Sequence, residues 1–102
     1  KEKVLHEEKV KEVKRLQDVA AEGQDTTLEV IRIRLGQSRT GKPTYYLETQ
    51  DMIVQVWASN RIGKLLAQYF NQLNRPFTIT IFRKNTRDGR PYYVLKRLAV
   101  KE

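Results

Sequence analysis

Arg83-Lys84-Asn85-Thr86-Arg87-Asp88-Gly89-Arg90-Pro91-Tyr92-Tyr93-Val94-Leu95 reads as a β-hairpin turn with both its shoulders. Asp88-Gly89 supplies the positive-φ position that a tight turn needs, and alternating apolar residues flank it on both sides. Five cations, Arg83, Lys84, Arg87, Arg90 and Lys96, lie on or beside the tip, and two tyrosines open the outgoing strand. The arrangement occurs twice. Arg39-Thr40-Gly41-Lys42-Pro43-Thr44-Tyr45-Tyr46-Leu47 carries the same Arg-x-Gly-(Lys/Arg)-Pro core, again followed by tyrosines and a leucine. Two basic hairpins with aromatic feet therefore punctuate the chain.

Between and around them the apolar pattern switches period. Leu28 to Leu35 is a strand rich in β-branched residues, with Ile31, Ile33 and Leu35 alternating with Arg32 and Arg34. Its alternation slips between Val30 and Ile31, where a bulge would bend it. Tyr45 to Thr49 follows the first hairpin, and Met52 to Ala58 follows a turn at Gln50-Asp51. Ile62, Leu65, Leu66, Tyr69, Phe70 and Leu73 then recur at helical spacing over roughly residues 60–73, with Ser59 or Asn60 as cap and Asn74-Arg75-Pro76 as stop. Phe77 to Phe82 alternates strictly, and Tyr92 to about Leu98 closes the sheet. Residues 1–22 lack proline and glycine and are rich in Glu, Lys, Leu and Ala, which predicts a helix. Its narrow stripe, Val10, Val13, Leu16, Val19 and Ala20, suits docking on a partner's patch or a short coiled coil between chains; a solvated arm, helical only in part, is the alternative. The division is 1–23 as a helical arm and 24–102 as the domain proper.

Charge is unevenly spread. Residues 1–22 hold six Lys/Arg and six Asp/Glu, so the whole formal +8 falls on residues 23–102, with 14 Lys/Arg against six Asp/Glu. With a pI near 9.9, that is the footprint of a polyanion binder. Cysteine is absent and His6 is the single histidine, which removes thiolate metal sites and His-based triads. Thr40-Gly41-Lys42 lacks the glycine spacing and the following helix of a phosphate loop. No catalytic residues, metal or cofactor are expected. No apolar run reaches the roughly 20 residues needed to span a bilayer, and an intracellular protein, cytoplasmic or nucleoid-associated, is expected.

The order β-β-β-α-β-β predicts a mainly β fold, a five-stranded OB-fold Greek-key barrel, with the N-terminal α-helix added. From about Leu28 to Val100 the chain resembles OB-fold single-stranded DNA-binding proteins of the bacterial or phage kind. The resemblance lies in element order, basic residues in both hairpin loops and aromatics in the strands. It departs from them in its N-terminal helix and in lacking a long acidic tail after the last strand. It implies that the two hairpins flank an oligonucleotide-binding face.

Gripping a single strand takes cations that track phosphates and ring faces for unstacked bases. The cations are Arg32, Arg34, Arg39, Lys42, Arg83, Lys84, Arg87, Arg90, Lys96 and Arg97, seven arginines to three lysines. Guanidinium both pairs with phosphate and stacks on bases, which suits the balance. The rings are Trp57 and Phe82, set opposite the aliphatics of their strands, and one of each Tyr-Tyr pair, Tyr46 and Tyr92 being favoured because neighbours on a strand face opposite ways. Tyr69 and Phe70 belong to the helix stripe and hence to the core; Arg61 and Lys64 are read as solvated. Single-stranded DNA, favoured over RNA, is the expected partner, in replication, recombination or repair. An RNA-binding module and a protein-assembly module without nucleic acid are the competing readings.

Overall fold

The computed structural model describes residues 1–8 and 10–101; Lys9, inside the predicted helix, and Glu102, after the last strand, lie outside the described residues. The chain is mainly β. Its elements are β1 (Glu12–Arg15), a single helical turn α1 (Leu16–Val19), β2 (Asp25–Val30), β3 (Arg32–Gln37), β4 (Pro43–Glu48), β5 (Met52–Trp57), α2 (Arg61–Tyr69) running on into a 3-10 turn (Phe70–Gln72), β6 (Phe77–Asn85) and β7 (Pro91–Val100). The strands make two sheets, ordered β1-β5-β4-β3 and β2-β6-β7.

One bent stretch joins the two sheets. β2 pairs antiparallel with β6 and β3 pairs antiparallel with β4, so the strand changes sheets at Ile31. The alternation slip at Val30/Ile31 has this cause: Val30 is buried in one sheet, and Ile31 points out at the corner while its N–H donates to the Glu48 carbonyl at 2.7 Å. Inward residues of both sheets meet in one core of Leu28, Val30, Leu47, Val54, Val56, Phe77, Ile79 and Ile81. Ile62, Leu66 and Leu73, on and just after α2, complete it. Among the described residues, strand pairing does not close the two sheets into a barrel; β1 and β7 remain edges.

Among the described residues, the predicted helix over 1–22 is reduced to the single turn α1. Residues 12–15 pair instead in parallel with β5, Glu12 opposite Met52 and Arg15 opposite Gln55. Local propensity favours a helix here, but an unpaired β5 edge would leave a row of backbone groups without partners, and non-local pairing wins. Two cations tie the segment down. Lys11 Nζ donates to Glu48 Oε2 at 2.7 Å and to the Thr49 carbonyl at 2.9 Å, and Arg83 Nη1 donates to the carbonyls of Gln17 and Ala20, both at 3.0 Å. Of the expected stripe, Leu16 and Ala20 enter the core while Val10 and Val13 stay exposed.

The two hairpins have the same loop. Ser38 N–H donates to the Lys42 carbonyl and Gly41 N–H to the Ser38 carbonyl, both at 2.9 Å; Thr86 to Arg90 (2.8 Å) and Gly89 to Thr86 (3.0 Å) repeat the pattern. Gly41 and Gly89 hold φ of 79° and 81°, left-handed values that disfavour other residues.

Asn60 caps α2, its Oδ1 accepting from Ile62 N–H at 2.9 Å. Asn60→Ala should lower stability by about 1 kcal/mol, read as a drop in Tm of roughly 4–8 °C; an unchanged Tm would mean that the cap contributes nothing. Tyr69, expected in the core, is instead 37% exposed at the helix end. α2 is anchored through Ile62, Gly63 and Leu66; Tyr69, its last residue, lies beyond these anchors, and the stripe is buried again only at Leu73.

Candidate functional site

On the outer face of the four-stranded sheet, pairing register lines up side chains across strands. Arg15 lies opposite Gln55, Gln55 opposite Tyr46, and Tyr46 opposite Arg34, one row across all four strands. Trp57, Thr44 and Gly36 form the next row, towards the first hairpin. A Cβ on Gly36 would stand 3.0 Å from Tyr46 Cε2, so the ring lies over the glycine, and Tyr46 Oη donates to the Gln37 carbonyl at 3.2 Å. Strand alternation sends Tyr45 and Tyr93 into the core and leaves Tyr46 and Tyr92 outside.

Three depressions lie on this face; one, lined by Val13, Arg34, Tyr46, Glu48 and Ile53, carries the Glu48 carboxylate, and the other two adjoin the first hairpin and Trp57. Of these two, the first, of about 510 Å³, is lined by Val13, Arg15, Ser38, Arg39, Thr40, Tyr46, Gln55 and Trp57. The other, of about 240 Å³, runs from Arg15, Gln55 and Trp57 to Asn60, Pro91 and Tyr93. They have Arg15, Gln55 and Trp57 in common, so they form one groove from the tip of the first hairpin to the base of the second. Among the described residues, neither of these two is lined by a carboxylate. Lys42 Nζ stands 5.8 Å from the Trp57 ring centroid, at the outer limit of cation–π attraction.

The fourteen residues expected at the site divide between the two sheets. Arg39, Lys42, Tyr46 and Trp57 sit on or beside the groove. Arg32 and Arg34 lie further along the same face and are drawn to Glu48 Oε1, at 3.1 and 3.4 Å, with Lys11 on the other carboxylate oxygen. Phe82 does not join Trp57. It lies on the outer face of the other sheet, opposite Asp25 and Val94, with Lys96 Nζ 5.4 Å from its centroid and held by both Asp25 oxygens at 3.1 Å. Arg97 sits on that sheet, opposite Thr80, and is exposed. Arg83 is a structural residue: its Nη1 caps the two carbonyls after β1, and its Nε is buried without a hydrogen-bond partner among the described residues. Lys84 and Arg87 are exposed on the second hairpin, Arg90 leans on Asp88 at 3.2 Å, and Tyr92 carries the Arg61 guanidinium 5.4 Å from its centroid.

Arg15, Val13 and Gln55 line the groove and lie outside the set expected from sequence. Gln55 was legible, since it alternates with Trp57 along β5. Arg15 was not: its placement depends on a parallel pairing for which the local sequence carries no signal.

Among the described residues, Glu48 is the acidic side chain set among the cations of this face. The hydrogen bond from Lys11 first, then the charges of Arg32 and Lys11, outweigh partial burial and hold its carboxyl below the ordinary 4.5. A carboxylate with a lowered pKa stabilises the fold above its unfolded value, and that contribution disappears as pH falls through the folded value. Wild type should therefore exceed Glu48→Gln in Tm at neutral pH, with the gap closing below the ordinary glutamate pKa; a gap independent of pH would remove the charge cluster as its source. The same variant should bind polyanions more tightly, since it frees Arg32 and Arg34.

No protein-family model matches the chain, and no match was found among curated proteins or solved structures.

Proposed function

We propose that this chain is a single-stranded nucleic-acid-binding domain of the OB type, holding DNA with little sequence preference in support of replication, recombination or repair. The observation that carries the reading is the groove itself, a carboxylate-free channel with an indole at its centre and Arg15, Arg39 and Lys42 along it. Phosphates would follow the three cations while bases stack on Trp57 and Tyr46, the division of labour that sequence-tolerant strand binding uses. An OB fold is a partly open five-stranded Greek-key barrel. In support, β2 with β3 serves as one bent strand shared by both sheets, and α2 falls between the third and fourth of the five. On this reading β1 is an addition, lending the groove Arg15.

Trp57, the single tryptophan, reports on the groove directly. Its fluorescence should be quenched by poly-dT at low salt, less at high salt and weakly by duplex DNA, with log K falling at about −0.7 per phosphate contact. A stronger response to poly-rU would move the assignment to RNA, and silence towards all polymers at low salt would overturn it. A second reading, a protein-assembly module, has the exposed Val4, Leu5, Val10 and Val13 in its favour; it requires that silence.

A further inference from the structure

A second cation-and-ring station stands beside the groove. Arg61, Lys64, Leu65 and Tyr92 line a separate depression of about 430 Å³. It too has no carboxylate, and it carries the same chemistry as the groove: one exposed ring with a guanidinium 5.4 Å from its centroid and a second cation alongside. Lys84 pairs with Tyr92 across the hairpin and is exposed, adding a third cation on that side.

Its position is fixed by chain continuity. The groove ends on Asn60 and Pro91; the next residue of each segment, Arg61 and Tyr92, begins the second depression. Successive Cα atoms are about 3.8 Å apart, less than the reach of one nucleotide of extended backbone; Pro91 and Tyr93 face the groove and Tyr92 the other side of β7, so the backbone of this one β-strand is the rim between the two. Cation–π contact with Tyr92 also holds Arg61 over the rim rather than leaving it to wander in solvent.

We propose that a single strand leaving the groove past Trp57 turns over the Asn60/Pro91 rim and is held again at this second station, its phosphates on Arg61 and Lys64 and a base on Tyr92. The site thus has two parts, and affinity depends on strand length. This extension rests on the groove as the primary site.

Length separates the two claims. Anisotropy titrations would compare labelled oligo-dT of about 6 and about 15 nucleotides, near the two ends of the roughly 4–16 that OB-type sites cover. Wild type should bind the longer strand at least tenfold more tightly. The double variant Arg61→Ala with Lys64→Ala should keep the affinity for the short strand within about twofold and lose most of that gain; Arg61→Glu should lose it entirely. Equal behaviour of wild type and variant at both lengths overturns the second station and leaves the groove standing. An equal loss at both lengths also overturns it, because the patch would then belong to the primary site or to folding. Binding of neither strand by wild type overturns groove and extension together.

Discussion

Gly63→Ala is expected to destabilise the fold by roughly 2 kcal/mol net, an overpacking cost of about 3 kcal/mol less what alanine gains in a helix, and to lower Tm by about 8–16 °C. A Cβ at this position would stand 2.1 Å from the Trp57 carbonyl oxygen and 2.9 Å from Ala58 Cα. Both are main-chain atoms at the end of β5, so no side-chain rotation relieves the clash. Against this, alanine in a helix gains about 1 kcal/mol over glycine, which covers only part of the cost. α2 must lift away from β5, and it takes Ile62 and Leu66, both fully buried, with it. The Trp57 backbone moves too, so the emission of the native state should shift as well as the midpoint. Gly36→Ala is the control: its Cβ would meet only the far edge of the Tyr46 ring at 3.0 Å, which can swing aside, and its Tm should fall far less. Equal losses at the two glycines would show that helix–strand approach is not what fixes Gly63.

The domain proper was largely legible in the sequence, and each legible part has a local cause. Strict alternation in Phe77 to Phe82, helical spacing from Ile62 to Leu73, and two glycines at the same offset from two prolines each act within a few residues. Even the sheet-to-sheet corner left a local trace, as the slip at Val30/Ile31. The N-terminal segment was misread because its structure is decided elsewhere. Val10, Val13 and Leu16 fit a helical stripe, but the β5 edge, Glu48 and Arg83 all recruit this segment from far along the chain. Propensity is a weak prior against partners of that kind.

The candidate site was legible in its residue types and less so in its grouping. Counting cations near hairpins could not separate those neutralised by neighbours, Lys96 on Asp25 or Arg32 on Glu48, from those facing the groove without a carboxylate. Nor could it reveal that Arg83 is spent on backbone carbonyls. Ion pairing is a property of register, and register emerges only when strands from distant parts of the chain are laid side by side.

That regrouping changes where the largest loss of binding should fall. Trp57→Ala is expected to weaken binding of oligo-dT by about 5- to 150-fold, the worth of one base–aromatic stack at about 1–3 kcal/mol, because its ring, beside Arg15 and Gln55, is the aromatic surface common to both arms of the groove. Phe82→Ala should change affinity little, since that ring lies on the other sheet beneath a lysine already paired with Asp25. Among the cations, Arg15→Ala with Arg39→Ala should flatten the salt dependence by about 1.4 in log–log slope, two phosphate contacts at about 0.7 each. Arg87→Ala with Arg90→Ala, at the second tip, should flatten it less, because Arg90 is shared with Asp88 and neither residue lines the groove. If the tip pair proves the more costly and Trp57 the less, the strand runs along the hairpins rather than between them, and the groove is not the site.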